Sequence, residues 1–231
     1  MSDTGYQVLA RKYRPARFDD LIGQEPMVRT LRNAFEAGRI AHAWMLTGVR
    51  GVGKTTTARI LARGLNFATE GEGRDEGAPT VDLPGEGGVH CKSIMEGRHP
   101  DVIEMDAASH TGIDDIRDII DSARYSPVSA RYKVYIIDEV HMLSKAAFNG
   151  LLKTLEEPPE HVKFIFATTE IRRVPVTVLS RCQRFDLRRV EPDMLIAHLG
   201  DIAGREGIKA GQDALALIAR AAEGSVRDGL S

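Results

Sequence analysis

One glycine-rich run in this chain has the residue types and the spacing for chemistry on phosphate groups. It fits the pattern G-x-x-x-x-G-K-S/T at every fixed position. Glycines allow the backbone N–H groups of such a loop to curl around the phosphates of a nucleotide, and the N-terminus of a following helix adds a favourable dipole. We therefore predict a phosphate loop made of Gly48, Val49, Arg50, Gly51, Val52, Gly53, Lys54, Thr55 and, directly after the pattern, Thr56.

The residues around this loop predict the strand and the helix that such a loop requires. An apolar run at 43–47 predicts a strand that enters the loop. Apolar residues at i, i+3, i+4 and i+7 predict a helix that leaves it, with Ala58, Leu61, Ala62 and Leu65 on one face. Lys54 would then reach the β- and γ-phosphates, and the Thr55 hydroxyl would hold Mg²⁺. The alternative, a glycine-rich turn that binds nothing, is disfavoured by this context.

Two neighbouring carboxylates follow a second apolar run. Residues 134–137 predict the body of a buried strand, and Asp138 and Glu139 come directly after them. Ligands bind outside the carboxyl ends of strands in open α/β sheets, so we expect both carboxylates beside the phosphate loop. Asp138 would orient Mg²⁺ or its water ligands, and Glu139 would position and activate an attacking water. An acidic pair that merely starts a helix is the alternative, which the upstream phosphate loop disfavours.

Further candidate site residues follow a third strand-like run, at 163–169. A hydroxyl at its end, on Thr168 or Thr169, could bond the γ-phosphate or the attacking water, although threonine is also a common strand residue. Arg181 follows this run by a short connection, and Arg227 lies at the start of the last predicted helix. A guanidinium suits phosphate binding because it is planar, permanently charged and bidentate. On the residues alone, both arginines could equally be solvated surface residues.

Length and composition are those of an ordinary soluble protein. The 231 residues suffice for one large or two modest domains, with 42% hydrophobic and 28% charged residues. A net charge of −2 gives no bulk attraction to nucleic acid, so any DNA contact would need a local patch or other subunits. Apolar runs stay below the roughly 18 residues of a membrane span, and Cys91 and Cys182 are too few for a disulfide framework. We expect a cytoplasmic protein with no membrane partner.

Strand-like runs alternate with helical patterns, which predicts an α/β fold around a parallel sheet of five strands. The predicted strands are 43–47, 101–106, 133–138, 163–169 and one near 184–187. From Pro192 the pattern is all helical, and its two apolar stripes are Leu195, Leu199 and Ile202, then Leu215, Leu217 and Ile218. We therefore expect an α/β domain at 1–190 and an incomplete helical domain at 191–231, and we expect the sequence to be a fragment of a longer chain.

Residues 68–90 interrupt this alternation of strands and helices. The stretch 70–88 is rich in glycine and acidic residues and has almost no apolar periodicity. This composition predicts a mobile surface insertion, because such a segment buries too little surface to become ordered. A functional acidic loop is the alternative.

Together, these motifs resemble the gamma/tau subunits of bacterial DNA polymerase III, which are ATPase motors of the sliding-clamp loader and members of the AAA+ group. A phosphate loop alone occurs in very many unrelated enzymes, whereas the ordered set of motifs is specific. The resemblance spans nearly the whole chain. Besides the phosphate loop it includes residues 9–15, 23–24, 106–109, 138–143, 152–159, 180–182 and 225–228.

The resemblance implies an AAA+ fold with a helical lid, and it implies roles that spacing does not show. Arg181 matches the family's arginine finger, which acts on ATP held by the neighbouring subunit. Arg227 matches the sensor arginine of the lid, which contacts the nucleotide of its own subunit, and Thr169 matches the first sensor. The resemblance places the region 9–15 against the adenine, with Ala10, Arg14 and Pro15 as its contact residues. For the charges of this region, a DNA-binding patch is the alternative.

One departure from the family concerns zinc. The family usually carries a zinc module of four cysteines between the first helix and the second strand. Here Phe67, Gly85 and Gly88 stand where cysteines are expected, and only Cys91 remains. A structural zinc ion needs four N or S ligands, and His90 directly beside Cys91 gives poor chelate geometry. We therefore expect ATP and Mg²⁺ as cofactors but no zinc, with Cys91 as a small buried hydrophobic residue.

The function implied by the resemblance is ATP hydrolysis that drives loading of a sliding clamp on primed DNA. The implied partners are the other clamp-loader subunits, the clamp and, through the assembled complex, the DNA. The full-length protein would be an oligomer, and this fragment could be a monomer. An ATP-binding scaffold with little hydrolysis is disfavoured because both Lys54 and Glu139 are present. A branch-migration helicase of the AAA+ group is disfavoured by the motifs at 156–159 and 180–182.

Overall fold

The computed structural model describes residues 7–71, 79–84 and 87–231. Its strands are β1 (Ala43–Thr47), β2 (Val102–Asp106), β3 (Lys133–Asp138), β4 (Val162–Thr168) and β5 (Gln183–Asp186). They form one sheet in the order β2-β3-β4-β1-β5, in which neighbouring strands are parallel. This confirms the predicted α/β fold with a five-stranded parallel sheet.

The predicted bounds of three strands differ from the structure by one residue. The sheet takes in Val162 and Gln183 and leaves out Asp101, Thr169 and Leu187. Thr169 lies beyond the end of β4 because its N–H donates to the Glu139 carboxylate, at 3.1 Å, and not to a neighbouring strand. The end of β4 is therefore tied to the end of β3 by a side chain.

The helices are α1 (Leu9–Lys12), α2 (Glu25–Glu36), α3 (Lys54–Leu65), α4 (Cys91–Met95), α5 (Ile113–Ala123), α6 (Lys145–Glu156), α7 (Val176–Leu179), α8 (Pro192–Arg205), α9 (Gln212–Ala221) and α10 (Val226–Gly229). Local sequence sets the bounds of α6. It begins after Ser144, whose Oγ accepts a hydrogen bond from the Ala147 N–H at 3.2 Å, and it ends before Pro158. In the part of the chain that the structure describes, no helix is long and apolar enough to cross a membrane.

Apolar layers cover both faces of the sheet. Successive residues of a strand point to opposite faces. Trp44 and Leu46 of β1 accordingly pack in one layer with residues of α2 and α3, whereas Ala43 and Met45 pack in the other with residues of α5 and α6. Because β1, β3 and β4 lie inside the sheet, they are apolar on both faces, which explains their continuous apolar runs.

A small helical cluster of α8, α9 and α10 follows the sheet and has its own apolar core. The stripe predicted on α8 is buried, but the stripe predicted on α9 is wrong in part. Leu217 and Ile218 are 63% and 43% exposed. A helix turns by about 100° per residue, so Leu217 points away from Leu215, and Ala219 and Ala222 face the core in its place.

The N-terminal segment packs against this helical cluster. Leu9, Ala10 and Tyr13 contact its apolar core, and the Tyr13 hydroxyl donates a hydrogen bond to Glu206 Oε1. The segment therefore bridges the two domains that we expected from the sequence, and the boundary at residue 190 remains a proposal.

The described part of the predicted insertion is better packed than its composition indicates. Residues 72–78 and 85–86 lie outside the described residues. Val81 and Leu83 are 3% and 5% exposed and join the apolar layer of α3, and the Thr80 N–H donates to the Gly64 carbonyl at 3.0 Å. The short segment around Val81 is therefore anchored to α3.

Candidate nucleotide-binding site

A cavity of about 510 Å³ lies between the phosphate loop, the end of β3, the N-terminal segment and α10. The sheet order brings these parts together, because β1 and β3 both neighbour β4 and all three strands end on the same side. Gly48, Val49, Thr169 and Arg181 do not line the cavity. Its wall includes the other predicted site residues, namely Ala10, Arg14, Pro15, Arg50, Gly51, Val52, Gly53, Lys54, Thr55, Thr56, Asp138, Glu139 and Arg227.

Lys54 is held inside the phosphate loop. Its side chain is buried, and its Nζ donates hydrogen bonds to the carbonyls of Gly48 and Val49, at 3.0 Å each. Burial lowers the pKa of Lys54, whereas the nearby carboxylates of Glu139 and Asp138 act in the opposite direction. An ammonium group held by loop carbonyls is placed to bind an entering phosphate.

The pair Thr55 and Asp138 fits a magnesium site. Thr55 Oγ1 donates a hydrogen bond to Asp138 Oδ2 at 2.5 Å, and Asp138 Oδ1 accepts from the Glu139 N–H at 2.9 Å. A hydroxyl and a carboxylate are hard oxygen ligands, and Mg²⁺ typically takes one or two of these together with water and substrate phosphates. Their contact beside Lys54 fits the Mg²⁺ of a bound nucleotide.

Glu139 is fixed at the end of β3 by groups from the end of β4. Its backbone has φ 45°, a left-handed value that is uncommon for a residue with a side chain. Its Oε2 accepts hydrogen bonds from Thr169 N–H at 3.1 Å and from Thr169 Oγ1 at 2.9 Å. His141 Nδ1 lies 3.3 Å from the same oxygen. The predicted sensor Thr169 therefore contacts the predicted base directly, through a bond that the sequence did not predict.

The lid helix α10 reaches the phosphate loop. The Arg227 N–H donates to the Gly51 carbonyl at 3.3 Å, and Ser225 Oγ caps α10 by accepting from the Asp228 N–H at 3.2 Å. A Cβ on Gly51 would lie 2.0 Å from Ser225 Oγ. Gly51 is therefore required both by its φ of 77° and by the close approach of the lid. Ser225 belongs to the motif at 225–228, but the sequence did not predict its contact with Gly51.

The charges on the cavity wall suit a polyphosphate. Its cations outnumber its carboxylates: Arg11, Arg14, Arg50, Lys54 and Arg227 stand against Asp20, Asp138 and Glu139. Desolvation, with repulsion from Arg59 and Arg11, lowers the pKa of Arg14. An anion bound in the cavity would relieve this repulsion between guanidinium groups.

Arg181 lies apart from the cavity, at the surface. Its Nη2 forms an ion pair with Glu156 Oε1, and its Nη1 donates to the Thr177 carbonyl at 2.6 Å. The structure thus places it on the connection after α7 and away from the phosphate loop of its own chain. Action on a neighbour's nucleotide remains a prediction.

The residues at the place where the family carries its zinc module do not fit a zinc ion. A Cβ on Gly88 would lie 2.7 Å from Cys91 Sγ and 3.0 Å from the Phe67 ring, so these side chains already fill the space. Arg63 is buried there and donates to the carbonyls of Ala16, Pro84 and Gly87. A buried cation disfavours a second cation beside it.

Neither the histidines nor the cysteine of this region offers a ligand set. His99 Nε2 and His90 Nδ1 are 2.9 Å apart, so these nitrogens bond to each other and not to a shared metal. Gly85 lies outside the described residues. Cys91 is buried, and burial raises the pKa of its thiol, which Arg63 partly offsets.

The fold and the site together define an AAA+ protein, with a phosphate loop, acidic residues at the neighbouring strand end and a lid that reaches the loop. Residues 23–191 match the family described as DNA polymerase III, delta subunit, and residues 195–231 match the one described as DNA polymerase III clamp loader subunit, ATPase lid domain. The chain belongs to this family of DNA polymerase III clamp-loader subunits.

Curated relatives agree with this assignment. DNA polymerase III subunit tau of Escherichia coli (strain K12) is 50% identical over 98% of this chain and 34% of its own length. Subunit tau of Bacillus subtilis (strain 168) is 48% identical, with 98% and 38% covered, and subunit gamma of Buchnera aphidicola subsp. Acyrthosiphon pisum is 48% identical, with 98% and 60% covered. The chain thus spans about a third of the length of these tau subunits.

Among solved structures, the fold is similar to RuvB of Thermotoga maritima, a Holliday junction branch migration motor. The TM-score is 0.65 at 21% sequence identity, covering 94% of this chain and 63% of that chain. At this identity the similarity shows the AAA+ fold alone, so it gives no support to the branch-migration alternative.

Proposed function

We propose that this chain binds ATP with Mg²⁺ and hydrolyses it as a motor subunit of the DNA polymerase III clamp loader. The hydrolysis would drive loading of the sliding clamp on primed DNA. The observation that carries this proposal is the convergence of Lys54, the Thr55–Asp138 pair and Glu139 on one cavity, in a chain of the clamp-loader family.

In this proposal each residue has one task in phosphoryl transfer. Lys54 binds the β- and γ-phosphates, and Thr55 and Asp138 hold Mg²⁺, which when bound neutralises phosphate charge. Glu139 orients a water and accepts its proton as the water oxygen attacks the γ-phosphorus. The bond from the γ-phosphorus to the β–γ bridging oxygen breaks, and ADP and inorganic phosphate form.

Two arginines complete the proposed site from different sides. Arg227 lines the cavity from the lid, so it would contact the phosphates within its own chain. Arg181 is surface-placed and paired with Glu156, and it would leave that carboxylate to reach ATP held by the neighbouring subunit. The wall residues Ala10, Arg14 and Pro15 would lie against the nucleoside.

The test is ATP binding and turnover by the chain alone and after assembly with the other loader subunits, clamp and primed DNA. Binding by the chain alone, slow turnover, and a large rise on assembly would support the proposal. Lys54→Ala should lose ATP binding. Its control is Lys209→Ala, which removes the same charge from an exposed lysine of the helical part. Tight ATP binding with no turnover in any assembly would favour the scaffold alternative, and absent binding would exclude both.

A further inference from the structure

His141 is a buried histidine that lies between two carboxylates beside the cavity. It is part of the short 3-10 turn Val140–Met142 and is 7% exposed. Its Nδ1 lies 3.3 Å from Glu139 Oε2 and 2.9 Å from Thr168 Oγ1, and its Nε2 lies 3.5 Å from Glu170 Oε1. None of the roles described above uses this ring.

The contact with Glu139 favours a hydrogen on Nδ1 of the ring. A carboxylate only accepts hydrogen bonds, so Nδ1 is attracted to Glu139 Oε2 only when it carries a hydrogen. Thr168 Oγ1 already accepts from the Glu170 N–H at 3.0 Å, and its rotating hydroxyl adapts to the ring. Thr168 Oγ1 can pair with either form of Nδ1, so the 3.3 Å contact with Glu139 Oε2 is the observation that favours a hydrogen on Nδ1.

Two hydrogen bonds reach one oxygen of Glu139: the Thr169 N–H and the Thr169 hydroxyl both donate to Oε2. His141 Nδ1, which is 2.9 Å from Thr168 Oγ1, lies 3.3 Å from the same oxygen. In the described part of the chain, Oε1 accepts no hydrogen bond and is the oxygen left to receive a proton. A residue held at φ 45° needs such support, because an uncommon backbone conformation persists only where its surroundings over-determine it.

We propose that His141 is a positioning residue for Glu139: its Nδ1–H anchors Oε2 so that Oε1 faces the attacking water. The proposal rests on the proposed function, in which Glu139 is the base. His141 does not line the cavity and would act through Glu139 alone. Its loss should therefore slow hydrolysis and leave ATP affinity intact, whereas a purely packing role would not distinguish the two ring nitrogens.

The test compares two amide substitutions, each of which can replace one of the two ring nitrogens as a hydrogen-bond donor. The amide nitrogen of His141→Asn can stand near Nδ1, and that of His141→Gln near Nε2. The control is His161→Asn, at a half-buried histidine whose Nε2 lies 3.0 Å from the Ala123 carbonyl. ATP affinity and single-turnover hydrolysis are measured with each variant of the 231-residue chain in excess over ATP.

We expect His141→Asn and the control to hydrolyse within about threefold of the wild type. His141→Gln should be slower by about ten- to a hundredfold, since a small misplacement of a catalytic group costs about that much. ATP affinity should stay within about twofold in all of them. Equal losses in the asparagine and glutamine variants, or weakened ATP binding in the glutamine variant alone, would overturn the proposal.

The double variant Glu139→Gln/His141→Gln separates this inference from the proposed function. If His141 acts through Glu139, the double variant should hydrolyse as slowly as Glu139→Gln alone. A further loss in the double variant would overturn the positioning role. If Glu139→Gln itself hydrolyses ATP like the wild type, the proposed function fails and the inference fails with it.

A measurement on the wild-type ring does not depend on how the variants fold. The ¹⁵N spectrum of the histidine rings, with His141 assigned by its disappearance in His141→Asn, should show a proton on Nδ1. In Glu139→Gln the exchange of this proton with water should become faster. A ring protonated only at Nε2 would overturn the proposal.

Discussion

The contact between the lid and the phosphate loop predicts a specific effect of Gly51→Ala. A Cβ at this position would lie 2.0 Å from Ser225 Oγ and 3.2 Å from Arg227 Cβ. Ser225 cannot simply rotate away, because it is buried and its Oγ caps α10. The lid helix must therefore retreat by about 1 Å or more, and Arg227 retreats from the cavity with it.

Gly51→Ala should lower both the stability of the fold and the affinity for ATP. An alanine at φ 77° costs roughly 1–2 kcal/mol of folding free energy wherever it occurs. Withdrawal of a charged hydrogen-bond donor from the nucleotide phosphates costs about 1.5–3 kcal/mol of binding free energy. We therefore expect ATP affinity to fall by about ten- to a hundredfold. A fluorescent ATP analogue titrated into the chain measures this fall.

Two matched variants decide whether the lid is the cause. Gly23→Ala has the same backbone cost, at φ 70°, but meets nothing within 4 Å, and it should leave ATP affinity unchanged. Adding Ser225→Gly to Gly51→Ala removes the clash and should recover most of the affinity, since glycine is an acceptable helix cap. Unchanged affinity in Gly51→Ala, or no recovery in the double variant, would refute the proposed coupling.

Three further predictions concern residues outside the cavity. Asp101→Asn should lower the free energy of unfolding by about 3 kcal/mol in a urea titration, because the fully buried carboxylate accepts three backbone N–H groups from residues 128–130. Burial raises the pKa of Asp101 but these bonds outweigh it, so the net shift is downward. The ionised Asp101 therefore stabilises the fold above about pH 4, and this stabilisation is lost as the pH falls through the lowered pKa. Urea unfolding at a series of pH values should show the loss in the wild type and not in Asp101→Asn. Arg63→Met should lower the free energy of unfolding in urea by about 3 kcal/mol, because the buried guanidinium bonds the carbonyls of Ala16 and Pro84. Elemental analysis of the wild type should find no stoichiometric zinc. One zinc per chain that survives a chelator would contradict the packing around Arg63. Arg181→Ala should leave ATP affinity and turnover of the isolated chain unchanged but slow the assembled loader by about a thousandfold; a several-fold loss of affinity in the isolated chain would mean that Arg181 acts in cis.

The sheet and the phosphate loop could be predicted because their signals are local. The loop pattern fixes its own backbone, and the continuous apolar runs of β1, β3 and β4 reflect burial on both faces. The stripe on α9 was predicted incorrectly at Leu217 and Ile218, which are exposed. Leu217 is two residues after Leu215 and therefore lies on the opposite side of the helix. Ala219 is a weaker apolar signal than Leu217 or Ile218, yet it faces the core.

Contacts between distant residues could be predicted where motifs mark both partners, as for Thr55 and Asp138, but not elsewhere. Nothing near Gly51 in the sequence indicates Ser225, and nothing near Arg63 indicates the carbonyls of Ala16 and Pro84. His141 did offer a signal, since it is a polar residue inside an otherwise apolar stretch directly after Glu139. Only the structure shows that its ring turns back to that carboxylate.

The central claim, that this site binds and hydrolyses ATP, is tested most directly by comparing Lys54→Ala with Glu139→Gln. Both ATP affinity and single-turnover hydrolysis are measured for each. We predict that Lys54→Ala abolishes ATP binding, because the loop loses its only lysine. Glu139→Gln should bind ATP like the wild type while hydrolysis falls by about a hundredfold or more. Equal loss of binding in both variants, or wild-type hydrolysis by Glu139→Gln, would contradict the account.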